Sequence, residues 1–325
     1  MKKPRLWISA SFFAGLALVG SGSPVSSSDF PSKPIVLYSG TSAGSTTYLT
    51  ARALADEAGK ELGVPIVVDS KPGAGYTVAA TFLANQKPDG YTLGVISSAA
   101  LDTRHMMLKV AYDPFKDFTY IIGYAVFPGG ICVKSDSPFK TLSDLLEHSR
   151  KNPGTLSYSS SGAGAAQQVA VEYLAKQAKT KFKHVPYQGG APACTALLGG
   201  HVDFTAGSGI HLNYVKQGAF RMLAVINSSR REIDFPDVPT LQDLGYKDAP
   251  PAAYLVLAPR GLPDAVYGKL DSAFRKAAHS PEFKALLEKL RVTFVFKDRR
   301  QLEAEFPATY QFYREFLKET GILAK

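Results

Sequence analysis

The sequence predicts an α/β protein with two lobes, each built on a mainly parallel sheet flanked by helices. Strand-like and helix-like segments alternate along the chain, and a strand, helix, strand order requires a parallel crossover. A strand that runs through a loop of small residues into a helix occurs twice, at residues 36–49 and 155–167. The chain has 325 residues, of which 45% are hydrophobic and 20% charged, so it is long enough for two cores.

The N-terminus has the pattern of a secretory signal peptide. A basic start, Met1 to Leu6, precedes an apolar run to Val19 and a stretch of small residues. The run is shorter than the roughly 20 residues of a membrane-spanning helix. We therefore predict a signal peptide over residues 1–28, cleaved between Ser23 and Asp29, and an exported, soluble mature protein.

The formal net charge is +9, of which three charges come from Lys2, Lys3 and Arg5 at the N-terminus. A moderately basic exported protein can steer anionic solutes toward itself. Lysines and arginines that serve only solubility explain the charge equally well. Aromatic residues are not interleaved with basic runs, so the sequence predicts no binding of nucleic acid.

The predicted elements divide the chain between two lobes. The strand and helix pattern restarts at Phe127, which indicates a first crossing, and the extended segment from Ala252 to Pro259 indicates a return. We predict lobe 1 over residues 29–126 and 252–325 and lobe 2 over residues 127–251. The helical tail is placed in lobe 1 because its apolar faces have no other partner.

The two small-residue loops predict an anion site. Each opens directly into a helix, where unpaired backbone N–H groups and the helix dipole favour a negative charge. Two such loops that face one another form a cleft with donors on both walls. The predicted donors to a carboxylate are Ser42, Gly44, Ser45 and Thr46 in the first loop, and Ser160, Ser161, Gly162 and Gly164 in the second.

A secreted serine hydrolase is the alternative function. Residues 40–44 match G-x-S-x-G between a strand and a helix, with Ser42 in the position of a nucleophile. The same residue types fill any tight strand-to-helix turn. No His-Gly-Gly oxyanion loop and no paired acid and histidine accompany the match.

Metal and nucleotide sites are not indicated. The six histidines have no partner at metal-ligand spacing, and Val78 and Gln167 occupy the last small-residue position of two partial dinucleotide fingerprints. We expect His184 to make a structural hydrogen bond. Cys132 and Cys194 both lie in apolar runs, which favours two buried thiols over a disulfide.

Landmarks spread over the whole mature chain resemble the solute receptors of tripartite tricarboxylate transporters, the Bug family of periplasmic binding proteins. The residues that carry this resemblance are Phe30-Pro-Ser-Lys-Pro-Ile35, Ala51-Arg52, Lys71-Pro-Gly-Ala-Gly75, Pro88-Asp-Gly-Tyr-Thr-Leu93, Tyr112-Asp-Pro-Phe-Lys-Asp-Phe118, His184-Val-Pro-Tyr-Gln-Gly-Gly-Ala-Pro-Ala193, Leu197-Leu-Gly-Gly-His-Val-Asp203 and Pro236-Asp-Val-Pro-Thr240.

The resemblance implies a type II periplasmic-binding-protein fold, or Venus flytrap, that closes on a small carboxylic acid without a chemical step or a cofactor. It implies a periplasmic location. The expected partners are the membrane subunits of a tripartite tricarboxylate transporter or a sensor kinase, and the receptor itself is expected to be a monomer. The residues that it assigns to the ligand are Ser42, Ala43, Gly44, Ser45, Thr46, Thr47, Tyr48, Ala74, Gly75, Ser160, Ser161, Gly162, Ala163, Gly164, Ala165, Gln168, Gly189 and Ala191.

The sequence departs from the family pattern in both loops and at one position beyond them. The family commonly has Pro-Phe where Gly40 and Thr41 stand, Asp where Tyr48 stands, Asn where Ala163 stands and Asp where Gly207 stands, and often His where Gln168 stands. Without an Asp at Tyr48 a ligand ammonium group lacks a counter-charge, so an amino acid is disfavoured. Tyr48 can stack on an aromatic acid or pack at the rim of the cleft. A receptor that has lost its ligand and serves a signalling partner also fits these changes.

Overall fold

The computed structural model of the protein describes residues 30–126, 129–227, 234–321 and 323. The predicted signal peptide lies outside the described residues. Within the described part of the chain, no helix combines the length and the apolar character that crossing a membrane requires.

Eleven strands and ten helices follow one another along the described residues. The strands are β1 Ile35–Ser39, β2 Ile66–Ser70, β3 Thr92–Ser97, β4 Phe118–Val126, β5 Gly129–Lys134, β6 Ser157–Ser160, β7 Lys183–Pro186, β8 Phe204–Ser208, β9 Phe220–Ile226, β10 Ala253–Pro259 and β11 Thr293–Asp298. The helices are α1 Thr46–Leu62, α2 Thr77–Ala84, α3 His105–Met107, α4 Leu142–Lys151, α5 Ala166–Gln177, α6 Gly190–Leu198, α7 His211–Lys216, α8 Asp264–His279, α9 Pro281–Lys289 and α10 Arg299–Glu319. A 3-10 turn, Ala74–Tyr76, precedes α2, and a π-helical turn, Ala100–Arg104, precedes α3.

The strands form two sheets, as a two-lobed α/β fold requires. The first has the strand order β11-β4-β10-β3-β1-β2 and the second β7-β6-β8-β5-β9. Both are mixed: β1 pairs in parallel with β2 and β3, but β10 pairs antiparallel with β3 and β4. In the second sheet β6 is parallel to β7 and β8, whereas β5 is antiparallel to β8 and β9.

The mixed pairing corrects the prediction of mainly parallel sheets. The strands β10 and β5 each follow a passage of the chain from one sheet to the other. A strand that arrives directly from the other sheet enters its new sheet at the end that is closer to the other sheet. A strand that follows a crossover helix enters at the opposite end. Each of the two therefore runs against its neighbours while lying between them.

The helix boundaries follow from local residue chemistry. In α1, Ser45 accepts a hydrogen bond from the Tyr48 amide at 3.2 Å, and Gly63 ends the helix with a φ of 72°. Thr141 and Asp144 form a capping box at the start of α4. The Ser45 cap starts α1 a few residues after the carboxyl end of β1, and such strand ends are where ligands gather in α/β sheets.

Helix α10 contacts the cores of both halves of the molecule. Leu302 and Phe306 pack in an apolar cluster with β4, β10 and the π-helical turn. Tyr313 and Phe316, two to three turns further on, pack in the core of the second sheet. The C-terminal helix therefore joins the two sheets on the side of the crossing strands.

The two cysteines are free and buried, as predicted. Cys132 and Cys194 lie in one apolar cluster beneath the second sheet. Burial raises the pKa of the Cys194 thiol to about 12.

Candidate ligand-binding site

A cavity of about 340 Å³ lies between the two sheets. It is lined by Thr41, Ser45, Thr46, Thr47, Gly75, Tyr76, Ser97, Ala99, Arg104, Ser161, Ala165, Ala166, Gln167, Gly189, Gly190, Ala252 and Tyr254. We call it the ligand cavity. Among these described lining residues none is acidic, and Arg104 carries the one full positive charge. The cavity is therefore suited to an anion.

The first loop forms one wall through a chain of hydroxyl groups. Ser39, Thr41 and Ser45 are linked in series, with side-chain oxygens 3.0 Å and 2.6 Å apart. Ser45 caps the Tyr48 amide, whereas the amides of Thr46 and Thr47 have no intrahelical acceptor because they lie in the first turn of α1. They are available to a carboxylate oxygen.

The opposite wall contains two helix N-termini without side-chain caps. Helix α5 begins after Ala165 and α6 after Gly189, and neither residue provides a capping side chain. Their first-turn amides are the donors that capping side chains, water or a ligand usually satisfy. Gly189 has a φ of 115°, a conformation that favours glycine.

Two tyrosines that were not among the residues assigned to the ligand form an aromatic wall of the cavity. The rings of Tyr76 and Tyr254 lie 6.0 Å apart in an edge-to-face arrangement. The Tyr76 hydroxyl lies 3.0 Å from the Thr47 hydroxyl. Burial raises the pKa values of Tyr76 and Tyr254 above their ordinary range, so both hydroxyls stay neutral hydrogen-bonding groups.

Arg104 was also missed by sequence reasoning. It is the last residue of the π-helical turn, and its partly buried side chain lines the ligand cavity. Burial lowers the pKa of the guanidinium. No hydrogen bond or ion pair joins it to another residue that the structure describes.

Seven of the residues predicted to contact the ligand line the cavity: Ser45, Thr46, Thr47, Gly75, Ser161, Ala165 and Gly189. The others are not among its lining residues, namely Ser42, Ala43, Gly44, Tyr48, Ala74, Ser160, Gly162, Ala163, Gly164, Gln168 and Ala191. Both small-residue loops therefore contribute to one cavity, as the cleft hypothesis requires. Their tips, including Ser42 and Ala163, are exposed to solvent.

Some of the remaining residues instead hold the loops in place. Ser160 is fully buried and its hydroxyl lies 2.7 Å from His184 Nε2, the structural hydrogen bond expected of this histidine. Gln168 accepts a hydrogen bond from the Gly164 amide at 2.8 Å. The Tyr48 hydroxyl donates to the Val68 carbonyl at 3.3 Å, which favours packing at the rim over stacking on a ligand.

The described residues do not form a metal-binding site. No group of three or more His, Cys, Asp or Glu residues among residues 30–126, 129–227 and 234–321 is placed to hold a metal ion.

Two mixed sheets with a cavity between facing loops define a two-lobed solute-binding protein. Residues 50–320 match the model of the tripartite tricarboxylate transporter family receptor. The chain belongs to this family, and the resemblance drawn from its sequence landmarks is confirmed.

Individual relatives agree with this assignment. The UPF0065 protein in the gbd 5' region of Cupriavidus necator is 35% identical over 314 residues, which cover 96% of this chain and 95% of that protein. The structure of the periplasmic binding protein BugD matches with a TM-score of 0.78 at 27% identity, covering 91% of this chain and 100% of BugD.

A further structural neighbour was solved with a ligand. MatC from Rhodopseudomonas palustris with bound malate matches with a TM-score of 0.74 at 25% identity, covering 89% of this chain and 99% of MatC. The family consists of solute receptors rather than enzymes, which decides against the serine hydrolase with Ser42 as nucleophile.

Proposed function

We propose that this protein is an exported periplasmic receptor that binds a small carboxylated metabolite in the ligand cavity. The observation that carries the proposal is the lining of that cavity, which combines free helix amides, hydroxyl groups and Arg104 and includes no acidic residue among those described. The malate bound to MatC supports a carboxylate as the ligand class.

The ligand body lies against the aromatic wall. Tyr76 and Tyr254 offer ring surface together with neutral hydroxyls, which suits an aliphatic or aromatic carbon skeleton that carries polar substituents. An amino acid is disfavoured because none of the described lining residues is a carboxylate that could pair with an ammonium group.

We propose that the ligand is held by closure of two lobes, over residues 29–126 with 252–325 and over residues 127–251. Closure about a hinge is a common way for two-lobed proteins to enclose a small ligand. The receptor then delivers its ligand to the membrane subunits of a tripartite tricarboxylate transporter or to a sensor. Family membership supports the transporter as the first candidate partner.

A thermal-shift screen of the mature protein tests the ligand class. The panel contains malate, succinate, citrate, benzoate and phthalate, with succinamide and benzamide as uncharged controls and aspartate and glutamate as zwitterions. A ligand at 100 times its dissociation constant stabilises the folded state by about 2.7 kcal/mol. We expect stabilisation by at least one carboxylate and by neither amide, and stabilisation by amino acids alone would contradict the proposal.

A further inference from the structure

Three glycines surround the path of the Arg104 side chain across the ligand cavity. A Cβ atom added to Gly75 would lie 2.1 Å from Arg104 Cζ, and one added to Gly164 would lie 3.4 Å from its Cγ. One added to Gly162 would lie 3.5 Å from Nη2. Gly75 belongs to the first sheet's half of the molecule and the other two belong to the second loop. The glycines thus leave room for a guanidinium between the two halves.

The backbone that carries Arg104 is fixed to the same loop. The Thr103 hydroxyl lies 2.9 Å from both the Ala99 and the Gly164 carbonyl oxygens. Thr103 is buried, with an exposed fraction of 1%. The π-helical turn is therefore anchored to the second loop beside the point where the Arg104 side chain begins.

The guanidinium forms no ion pair with any residue that the structure describes. The described residues that line the cavity include no carboxylate, and burial lowers the pKa of Arg104. A partly desolvated cation without an ion-pair partner is unfavourable, and an anion that enters the cavity relieves this cost. The planar guanidinium can donate two parallel hydrogen bonds to one carboxylate.

We infer that Arg104 pairs directly with a carboxylate of the ligand and is the residue that selects anionic ligands in this cavity. The inference rests on the proposed function and adds to it a named side chain. The helix amides and hydroxyls of the two loops are neutral donors, which also bind amides and water. Arg104 supplies the discrimination between a carboxylate and its uncharged amide.

Isothermal titration calorimetry of the mature protein tests the inference, with each carboxylate of the thermal-shift panel as a probe. We expect Arg104→Met to weaken carboxylate binding by about 10- to 100-fold, the usual cost of losing a hydrogen bond to a charged group. Arg104→Lys keeps the charge but cannot donate two parallel hydrogen bonds to one carboxylate. We therefore expect its affinity to lie between that of the wild type and that of Arg104→Met. Arg52→Met, at an exposed position of α1, removes the same charge outside the cavity and leaves the affinity unchanged.

Thermal unfolding without ligand separates a binding role from a structural one. If Arg104 serves the ligand, Arg104→Met leaves the unfolding temperature unchanged or raises it, because an unpaired cation is removed. A lowered unfolding temperature together with unchanged carboxylate affinity overturns the inference. Equal binding of carboxylates by the wild type and by Arg104→Met overturns it as well. A wild type that binds no carboxylate of the panel overturns the proposed function, and the inference with it.

Discussion

Gly75 shows how a single residue shapes the ligand cavity. Its backbone has a φ of 61°, in the left-handed region, and the Arg104 Cζ atom lies 2.1 Å from the place that a Cβ atom on this residue would take. A side chain at this position meets the guanidinium before it meets any ligand. The glycine is needed for space as well as for backbone conformation.

Gly75→Ala is therefore expected to displace Arg104 and to weaken carboxylate binding as strongly as Arg104→Met does. The left-handed backbone costs an alanine about 1 kcal/mol of stability. Gly63→Ala is the matched control, because Gly63 has a φ of 72° and open space around it. Chemical unfolding and calorimetry of both variants should show equal destabilisation but lost affinity in Gly75→Ala alone. Wild-type affinity in Gly75→Ala would contradict the place given to the guanidinium.

At the residue scale, sequence reasoning found the backbone donors but not the charged and aromatic side chains. The loops around Ser45 and Ser161 can be recognised in the sequence as runs of small residues before a helix. Arg104 follows a strand in an ordinary helical run, and a π-helical turn, with its wider spacing, changes the direction in which later side chains point. Tyr254 reaches the cavity only because β10 pairs with β3, a contact between segments far apart in sequence.

The π-helical turn links the ligand cavity to a second cavity of about 380 Å³ near the crossing strands. Asp102, two residues before Arg104, lines this second cavity together with Tyr120 and Asn227. It is 2% exposed, and its Oδ1 atom has no hydrogen-bond partner among the described residues. Burial raises the pKa of Asp102 to about 7, although the Ser98 side chain and Lys297 act to lower it.

This pKa predicts that Asp102 makes stability depend on pH. The folded protein keeps the proton up to about pH 7, whereas the unfolded chain loses it near the ordinary value of 3.8. The folded state thus binds more protons between these values, and the contribution of Asp102 to stability falls as pH rises through them. Asp102→Asn has no such titration.

Urea unfolding at about pH 4.5 and about pH 8 measures the effect. The free energy of unfolding of Asp102→Asn, relative to that of the wild type, should be higher at the upper pH. All other titrating groups are shared by the two proteins, so the difference isolates Asp102. A difference that stays constant across this range would contradict the raised pKa.

At the element scale, the order and the type of most strands and helices could be predicted from alternating apolar patterns and caps. The mixed character of the sheets could not. Strand direction depends on where the chain re-enters a sheet, and local periodicity carries no information about that. β10 reads as an apolar strand whichever way it runs, and its place between β3 and β4 is decided by tertiary pairing.

The whole molecule combines a cavity between two sheets with a helix that contacts both. Consecutive strands belong to different sheets at two places, β4 to β5 and β9 to β10, and α10 adds a further connection through Phe306 and Phe316. We propose that the lobes close about these connections. In this proposal, closure narrows the ligand cavity, to which the uncapped helices α5 and α6 contribute lining residues.

Small-angle X-ray scattering tests this closure. A carboxylate that stabilises the protein should reduce its radius of gyration, because binding draws the two loops together around a shared anion. The uncharged amide at the same concentration is the control and should leave the scattering curve unchanged. An unaltered radius of gyration at saturating carboxylate would indicate a site that is already closed without ligand.

The central claim is that an anion completes the cavity between the two small-residue loops by pairing with Arg104. A crystal structure of the mature protein with the best carboxylate of the panel tests it most directly. We predict carboxylate oxygens within hydrogen-bonding distance of the Arg104 guanidinium and of a first-turn amide of α1, α5 or α6. A ligand bound in the second cavity beside Asp102, or one in the ligand cavity whose carboxylate points away from Arg104, would contradict the claim.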